Sequence, residues 1–232
     1  MRGNVNIFDD HMDHGPLATS RPAHHGERAV LAVLRSKAPR RAVNPAEGAQ
    51  VAEWQATTLL ELAGLTRPPT PAVLISELPR VLVRTNPDLP VSGCTSWQAG
   101  RWLIVLNASE PLARQRFSLA HEFKHAVDHR FRDLLYVDRP GLSAYAQAEL
   151  AADYFAACLL MPRRWVKQAW GEGCQHLHGR SGLCQRFGVS PPAMTRRLAH
   201  LGLGTTTDAG SRDDGQSPTY ARLTRPWLRS PV

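Results

Sequence analysis

The chain has 232 residues and a formal net charge of +8 at neutral pH. This length suffices for one domain of ordinary size and a smaller additional unit. No apolar run reaches the roughly 18 residues that a membrane-spanning helix needs, and the first residues lack the apolar core of a signal peptide. We therefore expect a cytoplasmic protein with no membrane partner. The basic charge favours an anionic partner without specifying one, so weak nucleic-acid contact stays open.

Both ends of the chain differ from its centre in composition. Residues 1–43 and 204–232 are rich in small, polar and arginine residues and lack hydrophobic periodicity, so we expect disordered tails there. The cysteines form no Cys-x-x-Cys pair, which favours free thiols in a reducing compartment over disulfides. They are Cys94, Cys158, Cys174 and Cys184.

The first half of the central region predicts a helix followed by a small sheet. Asn44 is a suitable N-cap and Pro45 a suitable first residue for a helix that ends at Gly64. A short helix is expected over residues 71–78. The apolar face of the first helix is predicted to contain Val51, Trp54, Thr58 and Leu62. The predicted strands, the last two joined as a hairpin, are Val81–Arg84, Cys94–Trp97 and Trp102–Leu106.

The most specific motif is the H-E-x-x-H segment at residues 121–125, in an apolar stretch without proline. Because an α-helix turns once in about 3.6 residues, two histidines four apart lie on one face. Their imidazoles can bind one metal ion, and Glu122 beside them can take a proton from a metal-bound water. We therefore predict a zinc hydrolase with His121 and His125 as metal ligands, on a helix over residues 112–129.

A third metal ligand is predicted on a second helix. Catalytic zinc usually takes three protein ligands and leaves one position to water. The alanine-rich run from residue 144 to residue 161 has helical spacing and stops before Pro162. Glu149 and Asp153 share one of its faces, so Glu149 can complete the metal site while Asp153 can orient a ligating imidazole, expected to be His121. Two acidic residues on such an apolar helix would be costly without a cation.

These two segments resemble the motifs of a known family. Residues 114–125, R-Q-R-F-S-L-A-H-E-F-K-H, are similar to the R-F-T-L-A-H-E-x-x-H segment of the ImmA/IrrE metallo-endopeptidases. Residues 149–162, E-L-A-A-D-Y-F-A-A-C-L-L-M-P, resemble the E-x-x-A-N/D-x-F-A-x-x-L-L-M-P segment of the same family. The resemblance extends over about residues 46–203. Lys124 departs from the pattern, because the family commonly has glycine there, and it is expected to point away from the metal.

The resemblance implies an α+β fold with a zincin-like metalloprotease domain, here residues 44–171, that binds one Zn²⁺ per chain. It implies His121, His125 and Glu149 as the metal ligands and Glu122 as the catalytic acid/base. It also implies a sheet edge beside the first metal helix, with which substrate backbone can pair, and the sequence leaves open which strand that is. The oxyanion needs a second donor besides the metal. Four residues are open candidates for this role: Tyr136, Tyr145, Tyr154 and His129.

The substrate expectation also comes from the resemblance. Members of the family are site-specific proteases that cleave a helix-turn-helix repressor, often encoded beside them in mobile elements or stress-response loci. The resemblance therefore implies a zinc-dependent endopeptidase whose protein substrate is a helix-turn-helix transcriptional repressor, cleaved to relieve repression.

Residues 172–203 resemble a helix-turn-helix and are predicted to form a small helical subdomain. Gly188 and Val189 form the turn, and Ser190 caps the second helix. Prolines occupy the exposed start of that helix and leave few side chains able to read bases. We therefore favour packing on the catalytic domain or a protein partner over DNA binding. The basic residues that could contact phosphates are Arg186, Arg196, Arg197 and His200.

Two other classes of function remain open. A DNA-binding regulator with a structural or vestigial zinc site would account for the basic charge, and its affinity would fall steeply with salt. A protein-binding module, such as a toxin–antitoxin partner, would use an inactive protease fold and form a stable complex without proteolysis.

Overall fold

A small sheet packs against helices in this protein. A computed structural model describes residues 27–174 and 179–203, and the predicted tail residues 1–26 and 204–232 lie outside the described residues. The predicted α+β class is confirmed. The elements are α1 (Glu27–Ser36), α2 (Pro45–Leu62), α3 (Val73–Ser76), β1 (Val81–Asn86), β2 (Gly93–Gln98), β3 (Arg101–Asn107), α4 (Leu112–Asp128), α5 (Arg132–Leu135), α6 (Ala144–Leu160), α7 (Arg163–Ala169), α8 (Gly179–Phe187) and α9 (Pro191–His200).

For residues 27–43, the structure corrects the prediction of a disordered tail, because Glu27–Ser36 form the helix α1. Leu34 is fully buried in the core. Arg35 donates through Nε and Nη2, both at 3.0 Å, to two carbonyl oxygens in the last turn of α4. The last carbonyls of a helix lack partners within it, so Arg35 acts as a cap from a distant part of the chain. The local sequence of α1 gives little sign of these contacts.

The helix α2 begins as predicted but buries a different face. The Asn44 side chain accepts from the backbone N–H of Glu47 at 2.9 Å, and the Glu47 carboxylate accepts from the N–H of Asn44 at 3.0 Å. Trp54, predicted to be buried, is 57% exposed. Val51 is buried as predicted, and the rest of the buried face, which packs against α6, consists of Gly48, Ala52, Gln55, Ala56, Leu59 and Leu60.

The three predicted strands form one sheet in the order β1-β3-β2. β1 is parallel to β3, and β2 is antiparallel to it with Trp97 opposite Trp102. Ala99 and Gly100 both have positive φ, at 46° and 80°. This is the backbone twist that a two-residue hairpin turn requires, so the predicted hairpin is confirmed. Within the described ranges, β2 has one strand neighbour, β3, and α4 packs against β2.

One buried hydrophobic cluster joins the sheet to α4, which carries the H-E-x-x-H motif, and to helices that follow it in the chain. Ile104 on β3, Leu119 on α4 and Phe155 on α6 are buried in it. Phe187 on α8 and Leu198 on α9 belong to the same cluster, so the C-terminal helices share a core with the rest. Among the described helices, none has the length and apolar character needed to cross a bilayer.

A buried ion pair lies within α4. Lys124 is 1% exposed, and its Nζ donates to Oδ2 of Asp128 one turn later. Tyr136 donates its hydroxyl to the same oxygen at 2.6 Å. Burial lowers the pKa of Lys124 and, together with the Asp128 charge, raises the pKa of Tyr136 well above its usual value. The burial of these three polar side chains is therefore tolerated because they contact one another.

This pair gives a prediction about stability. Asp128→Asn leaves the Lys124 ammonium buried without a counter-charge, and we expect the free energy of unfolding to fall by about 3–5 kcal/mol in urea denaturation. The double variant Lys124→Met/Asp128→Asn removes both charges and should lose less than Asp128→Asn alone. An equal or larger loss in the double variant would contradict this account.

Candidate metal centre

Two packed helices bring the predicted metal ligands together. α4 carries His121 and His125 one turn apart, and α6 carries Glu149. Phe123 on α4 and Phe155 on α6 are fully buried between them, with ring centroids 6.2 Å apart. This contact sets the distance between the two helices. It allows a carboxylate from one helix to meet two imidazoles from the other.

The three donor groups form a small triangle. The Nε2 atoms of His121 and His125 are 3.1 Å apart, and each lies 3.3 Å from an oxygen of Glu149. Ligands about 2.0–2.1 Å from a tetrahedral metal ion are spaced about 3.4 Å apart, so the triangle matches one face of such a site. In the described ranges, no other group of three or more His, Cys, Asp or Glu ligand atoms converges in this way.

Asp153 orients the first imidazole. Its Oδ1 lies 2.8 Å from Nδ1 of His121. A hydrogen on Nδ1 leaves Nε2 with a lone pair directed at the other two donors. Electron-rich atoms at this separation require a positive charge between them, so the residues fit a divalent cation.

The ionisation of these groups follows from their contacts. Burial lowers the pKa of His121, but its hydrogen bonds with Asp153 and Glu149 outweigh burial and raise the pKa to about 9. Burial raises the pKa of Glu149, but the two imidazoles outweigh it and hold that pKa well below its usual range. A proton and a metal ion therefore compete for the same donors.

Glu122 lies between the metal ligands and β2. Burial raises its pKa, and the nearby imidazoles of His121 and His125 oppose that rise. A Cβ added at Gly93 on β2 would stand 3.0 Å from Cγ and 3.5 Å from Oε1 of Glu122. Gly93 therefore leaves the room that this carboxylate occupies. Gly93 was not predictable as a site residue from the sequence, because a glycine before a strand indicates only a turn.

Two cavities meet at this site. One of about 310 Å³ extends towards the start of α4 and towards α9. The other, of about 480 Å³, extends along β2 towards the end of α4 and the start of α6. They share Gly93, His121, Glu122 and Glu149 as lining residues. The donor triangle therefore lies in the middle of one cleft.

Two of the four candidate oxyanion donors are engaged elsewhere. Tyr136 donates its hydroxyl to Asp128 at 2.6 Å. The hydroxyl of Tyr154 lies 3.4 Å from Glu53 on α2, and burial raises the pKa of Tyr154 to about 12. Both phenol hydroxyls thus contact carboxylates outside the candidate metal centre, those of Asp128 and Glu53.

The other two candidates, Tyr145 and His129, line the cavity along β2, as Tyr136 also does. Tyr145 is 62% exposed and lies one turn before Glu149 on α6. The charge of Glu149, and then burial and a hydrogen bond with that carboxylate, raise the pKa of Tyr145. The ring of His129 packs edge-on against Trp102 at 4.9 Å. Tyr145 is therefore the candidate nearest to the donor triangle by its contacts.

The basic residues on α9 are directed to the cleft. Arg196, Arg197 and His200, predicted as phosphate contacts, line the cavity of about 310 Å³ together with the metal-site residues. Arg186 instead pairs with Glu172 at 2.8 Å. The sequence did not indicate this placement, because it depends on how α9 packs against α6.

The small sheet, the two ligand-bearing helices and the His-His-Glu triangle define a zincin-like metallopeptidase fold. A family model described as the IrrE N-terminal-like domain, of a peptidase family, matches residues 83–199, from β1 to α9. The chain belongs to this family, which confirms the resemblance seen in the two motifs.

One solved structure gives a further comparison of fold. A Mycobacterium tuberculosis transcriptional regulator matches with a TM-score of 0.50 and 17% sequence identity, over 79% of this chain and 54% of that one. The chain thus spans about half the length of that regulator, and the likeness concerns the fold alone. A comparison with curated proteins finds no match.

The contact between Asp153 and His121 generates a prediction about metal binding. We expect Asp153→Asn to weaken zinc binding by about 10–100-fold, because an amide holds and polarises the imidazole less well than a carboxylate. Competition with a chromophoric chelator measures the affinity. Asp133→Asn, at an exposed position on α5, is the matched control and should retain full affinity. Equal affinities in the two variants would remove the orienting role of Asp153.

Proposed function

We propose that this protein is a zinc-dependent endopeptidase whose metal ligands are His121, His125 and Glu149. The observation that carries the proposal is the donor triangle with Glu122 beside it in a cleft. Two imidazole nitrogens and one carboxylate oxygen are a donor set that zinc takes in catalytic sites. The family membership supports the same reaction class.

In the proposed mechanism, Glu122 is the residue that transfers the proton. A zinc ion held by His121, His125 and Glu149 would supply a Lewis acid to a water ligand and to the carbonyl of the scissile bond. Glu122 accepts the proton of the attacking water and then returns it to the leaving nitrogen. Burial raises the pKa of Glu122, which makes its carboxylate a stronger base. Asp153 keeps the His121 imidazole in the orientation that binding requires.

We propose β2 as the strand that binds the substrate backbone. One of its edges pairs with β3, and its residues 94–97 line the larger cavity. An extended peptide added to the other edge would place its backbone alongside Glu122, which Gly93 contacts from β2. β2 is therefore our choice for the sheet edge that the family resemblance implies.

We propose a helix-turn-helix transcriptional repressor as the protein substrate, cleaved to relieve repression. The support is the resemblance of residues 114–125 and 149–162 to the motifs of proteases with such substrates. A cytoplasmic location and a regulatory role belong to the same proposal.

A DNA-binding role for α8 and α9 has less support. Arg197 is 1% exposed, and Arg196, although exposed, lines the cavity beside the metal ligands together with His200. A recognition helix needs such side chains on an outer face that can enter a DNA groove. We therefore propose proteolysis rather than operator binding as the regulatory activity.

The role of Glu122 is tested by Glu122→Gln. This change removes the proton acceptor but keeps the side-chain size, so cleavage of a repressor encoded beside the chain should fall by at least about 100-fold. Metal analysis should still find one zinc per chain. Glu77→Gln, at an exposed position, is the matched control and should cleave normally.

Three outcomes would count against this proposal. Cleavage retained by Glu122→Gln would remove the assigned base. A stable complex that zinc-loaded wild-type protein never cleaves would favour the inactive binding module. Salt-sensitive binding to operator DNA without proteolysis would favour the DNA-binding regulator.

We also propose Tyr145 as the second donor to the oxyanion. Tyr145→Phe should lower kcat by about 10–1,000-fold while KM and zinc affinity change little, because the hydroxyl would act in the transition state. His129→Ala tests the other candidate under the same conditions. A larger loss of kcat in His129→Ala than in Tyr145→Phe would reverse the assignment.

A further inference from the structure

The cavity of about 310 Å³ has a charge distribution that peptide hydrolysis alone does not explain. Its acidic lining residues all belong to the candidate metal centre: Glu122, Glu149 and Asp153. Three arginines line the same cavity, and we call them the basic wall. They are Arg114 on α4, and Arg196 and Arg197 on α9.

The balance of these charges favours an anionic ligand. A divalent cation at the donor triangle and the basic wall together outweigh the three carboxylates. The cavity is then net positive, and a concave site of one sign concentrates groups of the opposite sign. The anion would lie beside the scissile bond, because the cavity includes His121 and Glu122 among its lining residues.

Arg196 is the most accessible member of the basic wall. It is exposed and forms no ion pair or hydrogen bond with the residues that the structure describes. Arg114 is held by the Ser92 hydroxyl at 3.1 Å, and Glu110 lies 3.8 Å from its Nε. Arg114 thus borders the cavity with its guanidinium already engaged, whereas the N–H donors of Arg196 remain available to a ligand.

Arg197 adds a buried charge. Its Nε donates to the carbonyl oxygen of Met161 at 2.9 Å, and its guanidinium lies 5.8 Å from the centre of the Tyr154 ring. Nη1 and Nη2 are buried without a well-aligned hydrogen bond, although Tyr154 and Cys158 lie nearby. Buried donors of a guanidinium are costly to leave unpaired, so this side chain also favours an acceptor in the cavity.

We propose that the basic wall binds a carboxylate of the substrate beside the scissile bond, and so makes an acidic group a determinant of cleavage specificity. A planar guanidinium matches a carboxylate through two parallel hydrogen bonds. The inference rests on the proposed peptidase function. The carboxylate comes from an Asp or Glu side chain, or from the C-terminus of a short peptide product.

The test measures peptide binding separately from cleavage. The probes are fluorescein-labelled dodecapeptides in which each position in turn holds Glu or Gln. Each peptide is made in two forms, one with a free C-terminal carboxylate and one with a C-terminal amide. Fluorescence anisotropy with zinc-loaded Glu122→Gln gives the Kd of each peptide. Wild-type protein gives kcat/KM for the same peptides.

We expect Glu at one position near the centre to bind about tenfold more tightly than Gln, with a similar preference in kcat/KM. Arg196→Gln, made alone and combined with Glu122→Gln, should reduce that preference to less than about threefold. Arg164→Gln, an exposed arginine on α7 outside the cavity, removes the same charge and should keep the full preference. Arg197→Met should reduce the preference as well, with its fold checked by thermal unfolding.

The outcomes separate this inference from the function it rests on. A preference for the free C-terminus over the amide, lost in Arg196→Gln, identifies the C-terminal carboxylate as the ligand. Equal Kd values for all Glu and Gln and all acid and amide pairs would overturn the proposal. A preference that survives in Arg196→Gln would overturn it too. Selective binding without any cleavage by the wild-type protein would support the basic wall as a carboxylate site and refute only the proposed peptidase activity.

Discussion

The close approach of α4 and α6 is the constraint on which the candidate site depends. Donor atoms from the two helices lie 3.3 Å apart, so a shift of one helix by about 1 Å would break the triangle. The buried surface of α6 contains four alanines, Ala148, Ala151, Ala152 and Ala156, which let neighbouring elements pack closely against this helix. The Phe123–Phe155 contact then acts as a spacer in the same interface. Small residues and one aromatic pair thus set the spacing of the donor groups.

Buried charge is concentrated around this helix pair. Lys124 and Asp128 lie within α4, and Arg197 binds the carbonyl at the end of α6. Such groups contribute little net stability, because desolvation offsets most of their attraction. Their value is in specificity of packing, since a wrongly placed helix would leave a charge unpaired. The helices that hold the donors are therefore fixed by directional contacts as well as by apolar ones.

The parts of the structure that follow from local sequence were predictable. The H-E-x-x-H spacing, the Glu149 and Asp153 pair, the hairpin at residues 99 and 100, and the cap at Asn44 depend on a few neighbouring residues each. The structure brings His121, His125, Glu149 and Asp153 together as the spacing indicated.

The remaining features depend on contacts between distant segments. Trp54 has the spacing of a core residue, but alanines on the neighbouring face of α2 permit closer packing with α6. Arg196 and Arg197 have the composition of a phosphate-binding helix, but the packing of α9 turns them to the cleft. Gly93 has no local signal at all, because its role is to make room for a side chain 29 positions later. No window of sequence contains both partners in these cases.

The contact of Arg35 with α4 has a consequence for where the unit that holds the donor triangle begins. Composition places the boundary at residue 44, where the first strong helix cap occurs. The guanidinium that completes the end of the histidine-bearing helix lies upstream of that point, 92 residues from one of the carbonyls it binds. A fragment trimmed at residue 44 would lack this contact and would leave the carbonyls of Ala126 and Val127, directly after His125, without the guanidinium. We therefore expect the smallest fragment that keeps the donor triangle in place to start at or before α1.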